Sequence, residues 1–127
     1  MPTIRQNHYV LAVPNVQASA RFFVDALGFE VVNEPPGWVF VKRDNCMIML
    51  GECPGSIPPA ELGDHSYFAY LRVDDADAYL AQVRAAGFHP HSPIGSKPWG
   101  MREFAMRTPD GHRITIGHII PGGPQDG

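Results

Sequence analysis

The chain has 127 residues, with 10 Lys and Arg against 13 Asp and Glu, a net charge of -3 and 44% hydrophobic residues. That length holds one domain, or two half-size lobes sharing a core, and the acidic balance excludes a clustered basic face for nucleic acid. The apolar fraction is too high for disorder, no apolar run nears the roughly 18 residues that span a bilayer, and the start lacks an export signal's apolar stretch; a cytoplasmic protein with no nucleic-acid or membrane partner is expected.

Residues 7–13 alternate as a strand does and stop at the Pro14-Asn15 breaker. Asn15 can cap a helix whose apolar stripe is Val16, Ala20, Phe23 and Leu27. Gly28 ends it, since a left-handed backbone costs least without a Cβ. Strands are expected near 29–33, 38–43 and 46–51, with a hairpin turn at Arg43-Asp44-Asn45. Residues 53–64 then read as a linker, opening with Cys53-Pro54-Gly55-Ser56-Ile57-Pro58-Pro59. Cys46 and Cys53 stand roughly 23 Å apart along a strand, too far to bridge and without the spacing of a zinc or redox pair.

The second half repeats these signals. Val13-Pro14-Asn15-Val16 lies over Val73-Asp74-Asp75-Ala76 at an offset of 60, Leu27-Gly28-Phe29 over Ala86-Gly87-Phe88 at 59, and Asp44–Met49 over Asp110–Thr115 at 66. A strand through Phe68 and Tyr70 leads to a helix capped by Asp75, striped by Ala76, Tyr79, Leu80 and Val83 and stopped by Gly87. Strands follow near 88–92, 101–107 and 112–119, with a turn at Pro109-Asp110-Gly111 and a flexible tail over 121–127. The modules are thus 7–52 and 65–119, each reading strand, helix and three strands.

Two segments carry a family resemblance. Ala18-Ser19-Ala20-Arg21-Phe22-Phe23-Val24-Asp25-Ala26-Leu27-Gly28-Phe29-Glu30 is similar to the first-helix motif of the glyoxalase, bleomycin-resistance and extradiol-dioxygenase (vicinal oxygen chelate) superfamily. Gly100-Met101-Arg102-Glu103-Phe104 through Pro109-Asp110-Gly111-His112 resembles the late hairpin of bleomycin-resistance proteins in particular. Thr108 stands where that family usually has Asp, a departure expected to loosen the turn without altering the fold. The resemblance covers most of residues 7–119. It implies an α+β fold in which two βαβββ modules form a curved mixed sheet around a cleft, helices outside, in a homodimer.

In metal-using members the resemblance places ligands on the first and last strand of each half. The repeat offsets bring these positions to His8 and Phe68, and to Met49 and Thr115. A divalent cation wants three or four N, O or S donors converging at about 2 Å. Phe68 offers none, a thioether and a neutral hydroxyl are poor ones, and one imidazole does not hold a metal, so no metal or other cofactor is expected. His65, His89, His91 and His112 read as loop or surface residues, and His118 has the opposite parity to Thr115.

Strand parity fills the cleft. His8, Val10 and Ala12 share one face, as do Met47 and Met49, and Phe68 and Tyr70. Trp38 and Phe40 are expected there too, paired in the second half with Phe104 and Met106, and Trp99 sits in a loop with no obvious core to enter. The candidate ligand-binding residues are therefore His8, Trp38, Phe40, Met49, Phe68, Tyr70, Trp99 and Thr115, with no catalytic residue assigned. Aromatic walls of this kind suit a non-metal protein that sequesters a bulky aromatic or cationic small molecule. The alternatives are a metal- or His8-dependent lyase, isomerase or dioxygenase of the same superfamily, and an accessory module whose aromatic face serves dimerisation. Glu103 and Arg107 read equally as an acid–base pair or a surface ion pair.

Overall fold

Asn15 and Asp75 turn two strands into two helices by the same device. Each has an extended backbone, and its side chain accepts a hydrogen bond from the N–H three residues on: Ala18 to Asn15 and Ala78 to Asp75, both at 3.0 Å. Those N–H groups have no partner inside a helix, so each cap contributes about 1 kcal/mol. The computed structural model describes residues 3–59, 61–62 and 66–126, which divide into two compact units, Met1–Pro58 and Pro59–Gly127. His65 lies outside the described residues.

The first unit runs β1 (His8–Val13), α1 (Val16–Leu27), β2 (Glu30–Asn33), β3 (Trp38–Arg43) and β4 (Cys46–Glu52). Its sheet has the order β1-β4-β3-β2, with β1 parallel to β4 and the other pairs antiparallel. Helix α1 buries Phe23, Leu27 and Ala20 against the sheet face that carries Val39, Val41, Ile48 and Leu50. Each large side chain so buried contributes roughly 1.5–3 kcal/mol. Gly28 ends α1 with φ 73°, and the Arg43 guanidinium donates to the Leu27 carbonyl at 2.8 Å, satisfying a helix-end acceptor. Asp44 takes a left-handed φ of 51° in the two-residue turn between β3 and β4.

The second unit repeats the plan with β5 (Tyr67–Arg72), α2 (Ala76–Ala85), β6 (Ser92–Ser96), β7 (Met101–Arg107) and β8 (Arg113–Ile119). The sheet order is β5-β8-β7-β6, again with the first and last strands parallel. Tyr79, Leu80 and Val83 of α2 are buried, as are Phe104, Met106, Ile114 and Ile116 on the strands. His118 projects to the helix side, where its Nδ1 accepts from the Ala76 N–H at 2.8 Å. The fold is α+β, two βαβββ modules with a helix on one face of each open four-stranded mixed sheet.

Three details of the second unit differ from the sequence reading. Strand β6 is Ser92–Ser96 rather than 88–92, because its partner β7 imposes a ladder on Ser-Pro-Ile-Gly-Ser, a stretch with loop composition. The β5–β8 ladder pairs Tyr67 with Arg113 and Ala69 with Ile114, leaving Phe68 as the extra residue of a bulge. In the first unit His8 pairs with Met47, the counterpart of Arg113, so Tyr67 and Phe68 together occupy the place of His8. Phe104 and Met106 pair with Ile116 and Ile114 and lie in the core, each 1% exposed, not on the open face. Glu103, Ala105 and Arg107 take that face instead, by their pairing with Gly117, Thr115 and Arg113.

Candidate functional site

On the first sheet, the face turned from α1 carries His8 and Val10 of β1, Met47 and Met49 of β4, and Trp38 and Phe40 of β3. Phe40 and Val10 flank Met49 directly in the ladder, and Trp38 stands opposite Gly51. The indole lies over that glycine: a Cβ on Gly51 would fall 2.9 Å from the ring. Trp38 and Phe40 meet edge to face at 6.2 Å, a favourable aromatic geometry. His8 and Val10 are exposed.

On the second sheet the open face is built around Glu103. Its Oε1 accepts from the Trp99 indole N–H at 2.6 Å and from the Tyr70 hydroxyl at 3.4 Å. The 97–100 loop holds Trp99 in place through the Gly100 N–H to Lys97 carbonyl bond and the Lys97 N–H to Met101 carbonyl bond. Gly117 lies beneath, and a Cβ there would meet the Tyr70 hydroxyl. Partial burial and the Glu103 carboxylate raise the Tyr70 phenol to about 12, so it remains a donor at neutral pH. Trp99 is half exposed, pinned at its N–H with ring surface available for stacking.

Among the described residues, recesses of two sizes open on this face. The larger, about 610 Å³, is lined by Tyr67, Phe68, Ala69, Tyr70, Arg113 and Thr115. The other, about 240 Å³, lies between Pro93, Lys97, Trp99 and Glu103 on one side and Arg113 and Thr115 on the other. Arg113 and Thr115 of β8 border both. Behind the larger recess the Phe68 ring meets His112 edge on at 5.5 Å. His112 lies in the turn between β7 and β8, as expected, but is buried there at 7% exposed. Burial lowers its pKa, with Asp110 acting weakly the other way. Thr108 does not loosen that turn: its Oγ1 accepts from the His112 N–H at 3.0 Å.

The eight candidates thus fall into two sets. His8, Trp38, Phe40 and Met49 share the open face of the first sheet. Phe68, Tyr70 and Thr115 line one recess of the second, and Trp99 and Thr115 the other. Sequence reasoning missed Arg113 and Lys97 and gave Glu103 a different role. Once Thr115 is placed on the open face, strand parity puts Arg113 there as well.

The four family ligand positions do not suit a metal. His8 supplies one imidazole, Met49 a thioether and Thr115 a neutral hydroxyl, while Phe68 sits in a bulge with its ring against His112. Among the described residues one cluster, Asp75, Asp77 and His118, brings donor atoms within 4.8 Å of one another. Its groups are engaged as helix cap, as ion pair to Arg102 at 2.7 Å, and as acceptor from Ala76.

The profile of the Glyoxalase/Bleomycin resistance protein/Dioxygenase superfamily matches residues 5–116. The chain belongs to that superfamily. Biphenyl-2,3-diol 1,2-dioxygenase 3 of Rhodococcus globerulus is 30% identical over 122 residues, covering 90% of this chain but 63% of the dioxygenase, so this chain spans less than two thirds of that relative. A bleomycin resistance protein of Klebsiella pneumoniae is 28% identical over 118 residues, 83% of this chain and 89% of the relative. The crystal structure of the bleomycin-binding protein from bleomycin-producing Streptomyces verticillus, complexed with copper(II)-bleomycin, aligns at a TM-score of 0.70. Identity to it is 26%, over 91% of this chain and 97% of that one. No helix among the described residues is long and apolar enough to cross a membrane.

Proposed function

We propose that this chain binds a bulky, partly aromatic small molecule and sequesters it without transforming it. The observation that carries this reading is Trp99, held by Glu103 at the border of a recess with its ring half exposed. A tryptophan fixed by its N–H and left uncovered by its own unit is a stacking surface prepared before a ligand arrives, which lowers the ordering cost of binding. Tyr67, Phe68 and Tyr70 extend aromatic surface along the neighbouring recess. The bleomycin resistance and bleomycin-binding relatives support the same reading. It carries with it a homodimer, as the resemblance implies, placed in the cytoplasm, and dimerisation is checked by sedimentation.

The dioxygenase relative would favour metal-dependent chemistry, but the donor set at His8, Met49, Phe68 and Thr115 weighs against it. The function is tested in a Trp38→Phe background, where Trp99 is the sole tryptophan. Titration with bleomycin and with planar aromatic compounds is expected to give saturable quenching by at least one of them. Trp99→Ala, read by calorimetry because no tryptophan then remains to be quenched, should weaken that ligand by up to roughly tenfold, the weight of one good stacking contact. A flat response to every compound overturns the proposal.

A further inference from the structure

We infer that Glu103 selects, for the smaller recess, a planar aromatic molecule with a hydrogen-bond donor at its ring edge, such as a phenol O–H or a ring N–H. This rests on the small-molecule reading above and adds the functional group that the ligand presents. The carboxylate is half used by the protein itself. Its Oε1 accepts from the Trp99 indole N–H at 2.6 Å and from the Tyr70 hydroxyl at 3.4 Å. Tyr70 keeps its proton for that bond, its phenol being pushed up to about 12. Among the described residues nothing meets Oε2 by hydrogen bond or ion pair. Glu103 lines the recess beside Trp99, and an acceptor that a ligand covers without bonding it costs free energy.

The other polar side chains of this recess do not make the same choice. A carboxylate only accepts. Ser92 and Thr115 carry hydroxyls that donate or accept as a ligand requires, while Lys97 and Arg113 only donate and meet the oxygen of a phenol and of its ether alike. Trp99 sets the geometry. Its N–H edge is the edge that Glu103 holds, so a ring stacked on the indole carries its own substituents past the carboxylate. A donor there gains a charge-assisted bond, whereas an ether or a methyl group covers Oε2 without one. The same indole fixes the outcome of a substitution. Because its N–H can only donate, the amide oxygen in Glu103→Gln stays on Trp99 and the amide nitrogen takes the place of Oε2, turning an acceptor into a donor.

Three neutral probes with one ring system test this by equilibrium dialysis against the full chain: 2-naphthol, 2-methylnaphthalene of the same size without a polar group, and the ether 2-methoxynaphthalene. The naphthol is expected to bind about tenfold more tightly than either of the others, the usual weight of a hydrogen bond to a charged group. Glu103→Gln should bring the naphthol down to the level of the ether. Circular dichroism melts and the Trp99 emission maximum establish that this variant is folded with its indole in place. Tyr70→Phe removes a donor from Oε1 and should leave the naphthol preference standing. The order of the three probes on the unaltered chain decides even if Glu103→Gln does not fold. An ether or methylnaphthalene bound as tightly as the naphthol overturns the assignment, as does a preference unchanged in folded Glu103→Gln or abolished in Tyr70→Phe; each leaves small-molecule binding standing. Binding of none of the three also overturns it, and the bleomycin titration above then decides separately whether the small-molecule reading survives.

Discussion

Thr108 and His112 close the β7–β8 turn on one another. The Thr108 N–H donates to the His112 carbonyl at 2.8 Å, and Thr108 Oγ1 accepts from the His112 N–H at 3.0 Å. Both residues are buried, so an unmet donor there carries a full desolvation penalty. Thr108→Val keeps the shape and removes the acceptor; urea unfolding should show a loss of about 1–2 kcal/mol. The buried His112 imidazole gives a second prediction. Its folded-state pKa lies below the ordinary 6.5 through desolvation, so the unfolded chain binds the proton more readily. The stability that depends on neutral His112 is complete above pH 6.5 and declines as pH falls through 6.5 toward the lower folded-state value. Urea midpoints measured from pH 7.5 to 5 should fall, and His112→Gln should flatten that part of the slope. An unchanged slope in the folded variant would remove His112 from the account.

The elements were legible in the sequence where their causes are local. Asn15 and Asp75 are read as caps because one side chain satisfies an N–H three residues away, and Gly28 as a stop because its φ is 73°. The faces of β7 were not legible, and the cause is one residue. Four residues separate the paired Lys42 and Met47, while five separate Arg107 and Arg113. The repeat therefore carries an offset of 66 on β8, from Met49 to Thr115, but 65 on β7, from Phe40 to Ala105. A shift of one reverses a strand's faces, which sends Phe104 and Met106 to the core and Glu103 and Arg107 to the opening. The bulge at Phe68 is hidden for a related reason, since only pairing with β8 reveals an unmatched residue. A test of the β5–β8–β7 register follows from Gly117. A Cβ there would meet the Tyr70 hydroxyl and come within 3.0 Å of Glu103 Cβ. Gly117→Ala should lower stability by about 1–3 kcal/mol, as overpacking does, and adding Tyr70→Phe should restore part of it. Thermal melts of the single and double variants read this directly.

Across the whole molecule, composition was a good guide to fold and a poor one to local charge. A net -3 with thirteen acidic residues reads as a mildly acidic protein, yet one sheet face gathers Arg72, Arg107 and Arg113 with Lys97 at its border. The same face holds Glu103 at its centre, while other acidic groups, such as Asp75 and Asp77, lie at the start of α2. Counting charges averages over faces that strand pairing separates. The repeat made the two-module plan readable, and parity anchored on His8 and Met49 gave the aromatic and thioether residues of the first sheet. Lys97 and Arg113 stayed hidden because their meaning depends on which neighbours the ladder brings to them. Thr115, unlike the wall residues, touches both hollows from a single strand. Under the proposed reading, enlarging it would constrict the two together, whereas exchanging Tyr67 or Pro93 would reshape one alone. The range of compounds this scaffold accepts can thus be retuned by a few exchanges, coarse at position 115 and fine at the walls, with the cores beneath both helices left intact.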